Sequence, residues 1–190
     1  MRNAFLLLSC LLAVVCCARG ANNCTSRVSP DVELAPGKPD LVLGGFNICK
    51  VTPAQLKRRL GPPTRVEETP PQPPSGLYPD IGDRTYIWRG RGFVVRVDTA
   101  YDAKTNADVG VAYIKATCTG NAEVCQASSW RTGRGLGLGD SLRKAESLYP
   151  HLAEFWAGSA YFLVWRRTSL TIGIRHGRVA WLQVESDPYP

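Results

Sequence analysis

One pattern is written twice along the chain, and that repetition constrains the fold more than any other feature. Thr85-Tyr86-Ile87-Trp88-Arg89-Gly90-Arg91-Gly92-Phe93-Val94-Val95-Arg96-Val97 is echoed by Leu163-Val164-Trp165-Arg166-Arg167-Thr168-Ser169-Leu170-Thr171-Ile172-Gly173-Ile174. Each copy has an aromatic strand ending in Trp-Arg, a short turn, and a strand of β-branched residues. A short helical pattern precedes each, ending at Leu60-Gly61-Pro62-Pro63 in the first and Leu148-Tyr149-Pro150 in the second. A repeat of this kind fixes architecture and says little about chemistry.

The first helix has a full set of start and stop signals. Thr52 is a good N-cap, Pro53 suits the first helical position, Gln55 completes a capping box, and Val51 with Leu56 forms a staple. Gly61 followed by two prolines ends it. For the second helix Asp140 reads as the N-cap, with Leu142, Ala145, Leu148 and Tyr149 on one face. Three strands are predicted after each helix, over 85–89, 93–99 and 109–115, then over 161–166, 169–175 and 179–185. Alternation puts Phe93, Val95 and Val97 on one face and Val94, Arg96 and Asp98 on the other. In the second copy Leu170, Ile172 and Ile174 make the buried face, and Arg175-His176-Gly177-Arg178 reads as a tight hairpin turn. The resulting expectation is an α+β protein of two tandem helix–β–β–β units with antiparallel sheets, each helix-covered on one face and free on the other.

Residues 1–20 read as a cleavable secretory signal. Arg2 supplies the positive start, an apolar run from Phe5 to Val15 follows, and Ala18-Arg19-Gly20 places small residues before a cut at Ala21. The run is shorter than the roughly 20 residues a membrane span requires. Cys16 and Cys17 raise lipidation, but Val15 is a poor residue before a lipidated cysteine. Of the seven cysteines in the chain, the signal takes Cys10, Cys16 and Cys17, leaving Cys24, Cys49, Cys118 and Cys125. An even set in an exported chain reads as disulfides, with Cys24–Cys49 and Cys118–Cys125 favoured by proximity among three possible pairings. The Cys-x6-Cys spacing, with no histidine near, is not that of a zinc site. A secreted or periplasmic location follows.

The remaining organisation is an N-terminal arm over 21–40, a first unit over 41–117, a disulfide-bearing linker over 118–134 and a second unit over 135–186. Within the first unit, Thr69-Pro70-Pro71-Gln72-Pro73-Pro74-Ser75-Gly76 reads as a polyproline-like surface connector. Removing the signal with its two arginines leaves a net charge of +7 − 2 = +5, which suits solubility and attraction to acidic partners. Because the basic residues are scattered rather than clustered, it is not the footprint of a nucleic-acid binder.

No motif points to catalysis, a cofactor or a metal. His151 and His176 sit at a helix end and in a turn. Glu67-Glu68 and Asp80 with Asp83 read as loop charges rather than an acid–base pair. Gly133-Arg134-Gly135-Leu136-Gly137-Leu138-Gly139 lacks the Lys-Ser/Thr of a phosphate loop and reads as a flexible entry to the second unit.

Gly44-Gly45, the helix from Val51 to Leu60, Leu60-Gly61-Pro62-Pro63, and Tyr86-Ile87-Trp88 opening a three-stranded meander together resemble the unit of the small β-barrel-assembly lipoproteins of the SmpA/OmlA type. The tandem form, with disulfides and a secretory signal, is similar to the β-lactamase inhibitory proteins. The similarity covers roughly residues 41–116 and 133–186. It departs from the pattern in lacking a lipobox and in having Leu148-Tyr149-Pro150 where the first unit has Leu-Gly-Pro-Pro. What the resemblance implies is a fold that binds other proteins in the cell envelope or outside it.

Trp, Tyr and Arg enrich protein interfaces. Trp88 and Trp165 read as core; the alternation of the last strand lets Trp181 face either way. If Leu182 is inside, the open sheet faces carry Arg96 in the first unit and Thr171, Arg175, Trp181 and Gln183 in the second. The sequence therefore predicts a non-catalytic protein-binding factor, of an inhibitor or immunity type, with another protein as partner. The alternative is an envelope-assembly or structural accessory protein at the outer membrane.

Overall fold

The two halves of the chain join through a single pair of strands, so the expected two sheets are one. The computed structural model describes residues 40–71, 80–150, 153–155, 160–165 and 168–186. The stretch read as a signal, Cys24, nearly all of the expected arm, most of the proline-rich connector and His151 lie outside them. A two-stranded ladder, β1 (Val42–Leu43) with β2 (Phe46–Asn47), leads into helix α1 (Pro53–Leu60). Then come β3 (Arg65–Thr69), β4 (Ile81–Gly90), β5 (Phe93–Asp102) and β6 (Ala107–Cys118). Two short helices follow, α2 (Ala122–Gln126) and α3 (Leu142–Leu148). The chain continues as β7 (Ala153–Phe155), β8 (Ala160–Trp165), β9 (Thr168–Arg175) and β10 (Arg178–Glu185). The order across the sheet is β3-β4-β5-β6-β10-β9-β8-β7, eight strands, every pair antiparallel.

This corrects the α+β expectation of two tandem helix–β–β–β units. The described protein is mostly β, with helices of 8, 5 and 7 residues that cap a continuous sheet rather than balance it. The physical reason is the edge. Left separate, β6 and β10 would each present a row of unpaired N–H and C=O groups to water. Their antiparallel pairing, from Trp181 opposite Thr117 to Glu185 opposite Tyr113, satisfies both rows. The strands are also longer than predicted, β6 reaching 12 residues, and each meander has a further edge strand, β3 or β7. In β3 the sequence Arg65-Val66-Glu67-Glu68-Thr69 has too little apolar alternation to announce a strand; charged side chains there suit an exposed edge.

Register sorts the sheet into two faces. One carries Trp88, Val95, Ala116, Leu182 and Ile172 in one cross-strand row and Tyr86, Val97, Ile114, Val184 and Leu170 in the next, all buried. The helices pack on this side. Leu56 of α1 and Ala145 of α3 belong to the same buried cluster, and α2 is tied to β6 by the Cys118–Cys125 disulfide. Cys49 is disulfide-bonded as well, to a partner outside the described residues. The capping box of α1 forms as the sequence predicts: Gln55 N donates to Thr52 Oγ1 at 3.3 Å and Thr52 N to Gln55 Oε1 at 2.9 Å. At α3 the cap is Ser141, one residue later than expected. Asp140 instead turns inward, where its Oδ2 accepts Gly137 N and Lys144 Nζ, each at 2.8 Å.

Two carboxylates lock the covered side. Asp108 accepts Lys57 Nζ at 3.0 Å, Arg84 Nη1 at 2.9 Å and the Tyr86 hydroxyl at 2.9 Å, joining α1 to β4 and β6. Arg84 is also paired to Glu68 at 2.7 Å and lies over the Tyr101 ring. With its positions filled, Asp108 is a clamp rather than a free base. The second is Asp40, whose Oδ2 takes the Tyr149 hydroxyl at 2.8 Å and Arg134 N at 2.5 Å. That clamp orders the glycine-rich segment, which is not the flexible entry its composition suggests: Leu136 and Leu138 are wholly buried. Trp130, in the segment read as a linker, is buried too and stacks on Phe46.

Candidate functional site

Opposite the helices, the sheet presents a second face built from the alternate residues of the same strands. A first row runs Arg89, Val94, Thr117, Trp181, Gly173 from β4 to β9; a second runs Arg65, Ile87, Arg96, Lys115, Gln183, Thr171 from β3. The third is Glu67, Thr85, Asp98, Tyr113, Glu185, Ser169. These rows differ in character: one apolar and aromatic, one cationic, one acidic. Neighbouring rows are about 7 Å apart, two residues along a strand.

Trp181 is neither core nor a free aromatic. It lies flat on Gly173 of the adjacent strand, where a Cβ would meet the indole Nε1 at 1.9 Å. Only a glycine permits that approach. The Lys115 ammonium also lies over the ring, 4.1 Å from the centroid. A bulge between Val179 and Trp181 breaks the β9–β10 register beside it, the kind of irregularity that re-aims a side chain.

The charges on the face are unevenly compensated. Glu67 bridges Arg65 Nε at 3.0 Å and Arg96 Nη2 at 3.5 Å. Asp98 accepts the Thr85 hydroxyl at 2.7 Å, and Glu185 accepts Gln183 Nε2. Burial, with the Asp98 carboxylate beside it, pushes the Tyr113 phenol well above its ordinary value. Burial also lowers the Lys115 pKa, helped by Arg96 directly opposite and opposed by Glu185.

Four of the five residues predicted to bind a partner, Arg96, Thr171, Trp181 and Gln183, fall within these rows. Arg175 does not. It is exposed at the end of the β9–β10 hairpin, past the bulge and opposite Arg178. The turn there takes positive φ at His176 (51°) and Gly177 (69°), as a tight hairpin of primed type requires. Lys115 and Tyr113 were missed by sequence reasoning. Their strand was predicted, but only the pairing of β6 with β5 and β10 brings them to the middle of the face. Glu67 and Glu68 are split by the sheet, one to each face, so they form no acid–base pair. Among the described residues no group of histidine, cysteine and carboxylate could hold a metal, and no helix is long and apolar enough to cross a membrane.

No protein-family model matches the chain, and no curated protein or solved structure does either.

Proposed function

We propose that the mature chain is a secreted or periplasmic, non-catalytic protein-binding factor of the inhibitor or immunity kind, which docks its partner on the face of the sheet opposite the helices. The observation that carries this reading is the make-up of that face. Three rows from adjacent strands bring an indole, a phenol, four cations, three carboxylates, an amide and several hydroxyl groups onto one broad surface, and no described helix packs there. Mixed aromatic, arginine and polar composition of this kind suits an interface, where flat sheet faces supply rigid area at low entropic cost. The resemblance of the two repeats to envelope protein-binding units agrees with it.

Site-specific photo-crosslinking tests the reading in cells that produce the protein. A photoreactive phenylalanine at Gln183, Thr171 or Arg96 should capture the same single protein, and one at exposed Arg143 on α3 should capture none. Equal capture from both sides, or none from the open face, would sink the proposal. Fractionation of the mature chain with membranes would favour the envelope-assembly role instead.

A further inference from the structure

We propose that the partner places a carboxylate side chain, aspartate or glutamate, on Lys115 and Arg96, with an apolar group beside it against Trp181. The inference rests on the docking face proposed above and specifies the chemistry of what docks there.

Charge complementarity is the argument. Arg65 and Arg96 share Glu67. The Lys115 ammonium has no hydrogen bond or ion pair with any described residue and lies over the ring of Trp181. It stands directly across from Arg96 in the β5–β6 register, a like-charge pair that opposes sheet stability. The face's own acids relieve it only in part: Glu185 supports the charge from beyond ion-pair distance, and Asp98 and Glu185 are already engaged by Thr85 and Gln183. Burial and Arg96 both disfavour the charged lysine, so an arriving anion removes a penalty that the free protein carries. The Arg96 contact to Glu67, at 3.5 Å and with both side chains well exposed, is weak enough to be shared.

The surroundings select the kind of anion. Glu67, Asp98 and Glu185 lie one row away, about 7 Å, and would repel a run of phosphates crossing the sheet. A single carboxylate reaches the cationic row without meeting the acidic one. On its other side the carboxylate has Trp181, Val94 and Thr117, which offer area to an aliphatic or aromatic group. An acidic residue next to an apolar one, on a protein surface, is the ligand that fits.

A random dodecapeptide phage library, selected on the immobilised full mature protein, is the probe. Selections run in parallel on wild type, Gln183→Trp, which covers the face with bulk, and Lys115→Glu, each checked by its melting curve. The expected result is wild-type peptides that fail on Gln183→Trp and are enriched in Asp or Glu beside an apolar residue. Lys115→Met should weaken a synthetic copy at least about tenfold, the scale of a hydrogen bond to a charged group. Selection on Lys115→Glu should turn to Lys and Arg. Peptides that fail on Gln183→Trp yet show no acidic enrichment and ignore Lys115→Met would overturn the carboxylate while leaving the docking face standing. If no selected peptide is sensitive to Gln183→Trp, the docking face falls and this inference with it.

Discussion

Along β10, Leu182 and Val184 are wholly buried beneath the helices, whereas Trp181, Gln183 and Glu185 between them are only half-covered on the other side. The two faces answer to different physics. The covered face is apolar, and the buried polar groups on that side are engaged, Arg84 with Asp108 and Glu68, and Tyr149 with Asp40. The open face holds charges that are partly paired or, at Lys115, in no ion pair with any described residue. A face kept for stability would have no reason to set two cations opposite each other across a strand pair. The contrast sets a stabilising side apart from the side proposed for recognition, one residue away in sequence.

The largest breaks in that comparison should come from the covered side. Arg84→Ala takes the shared guanidinium from Asp108 and Glu68 and should lower unfolding free energy by roughly 3 kcal/mol, the lower end for breaking a buried ion pair, because Lys57 and Tyr86 still hold Asp108. Urea denaturation checks it; a loss under about 1 kcal/mol would mean that water replaces the guanidinium freely. Leu182→Ala should match it with roughly 2–5 kcal/mol, from lost transfer energy and the cavity left behind. The cap is smaller: Thr52→Ala should cost about 0.5–2 kcal/mol, as Gln55 N loses its acceptor, and an unchanged midpoint would show that α1 starts elsewhere. On the open face, Gln183→Ala should move stability by no more than about 0.5 kcal/mol.

Alkaline pH sharpens the same picture through the phenols. Burial raises the Tyr149 pKa, and the Asp40 carboxylate adds to it, above the 10.0 of a free phenol. In the unfolded chain Tyr149 ionises near 10, while in the fold it keeps its proton. Above that pH the unfolded state binds fewer protons than the native one, so stability falls as pH rises. Denaturation midpoints should therefore drop from pH 9 to 11, and Tyr149→Phe should flatten part of the drop. A slope identical in wild type and variant would remove Tyr149 from the account.

Much of the covered face was legible in the sequence. Val95 and Val97, Leu170 and Ile172 alternate cleanly, and the capping box Thr52–Gln55 forms as written. What escaped was long-range. Nothing local says that β6 pairs with β10, because a strand edge carries no sequence mark for the edge it will meet; that single pairing turned two expected sheets into one. The short charged β3 lacks the apolar alternation that announces a strand. Gly133 to Gly139 looked mobile because the residue that pins it, Asp40, lies far away in sequence. Trp181 could be placed only once Gly173 was known to sit across from it. Lys115 matters for the same reason, through neighbours on two other strands.

The most direct measurement compares two adjacent residues of β10, Leu182 and Gln183, for stability and for binding of the crosslinked partner or a face-selected peptide. The account predicts that Gln183→Trp keeps the wild-type melting curve and loses binding at least about tenfold. Leu182→Ala should melt far earlier yet bind at wild-type strength at temperatures where it remains folded. A folded Gln183→Trp that binds as wild type does would contradict the division of the sheet into a stabilising side and a recognising one.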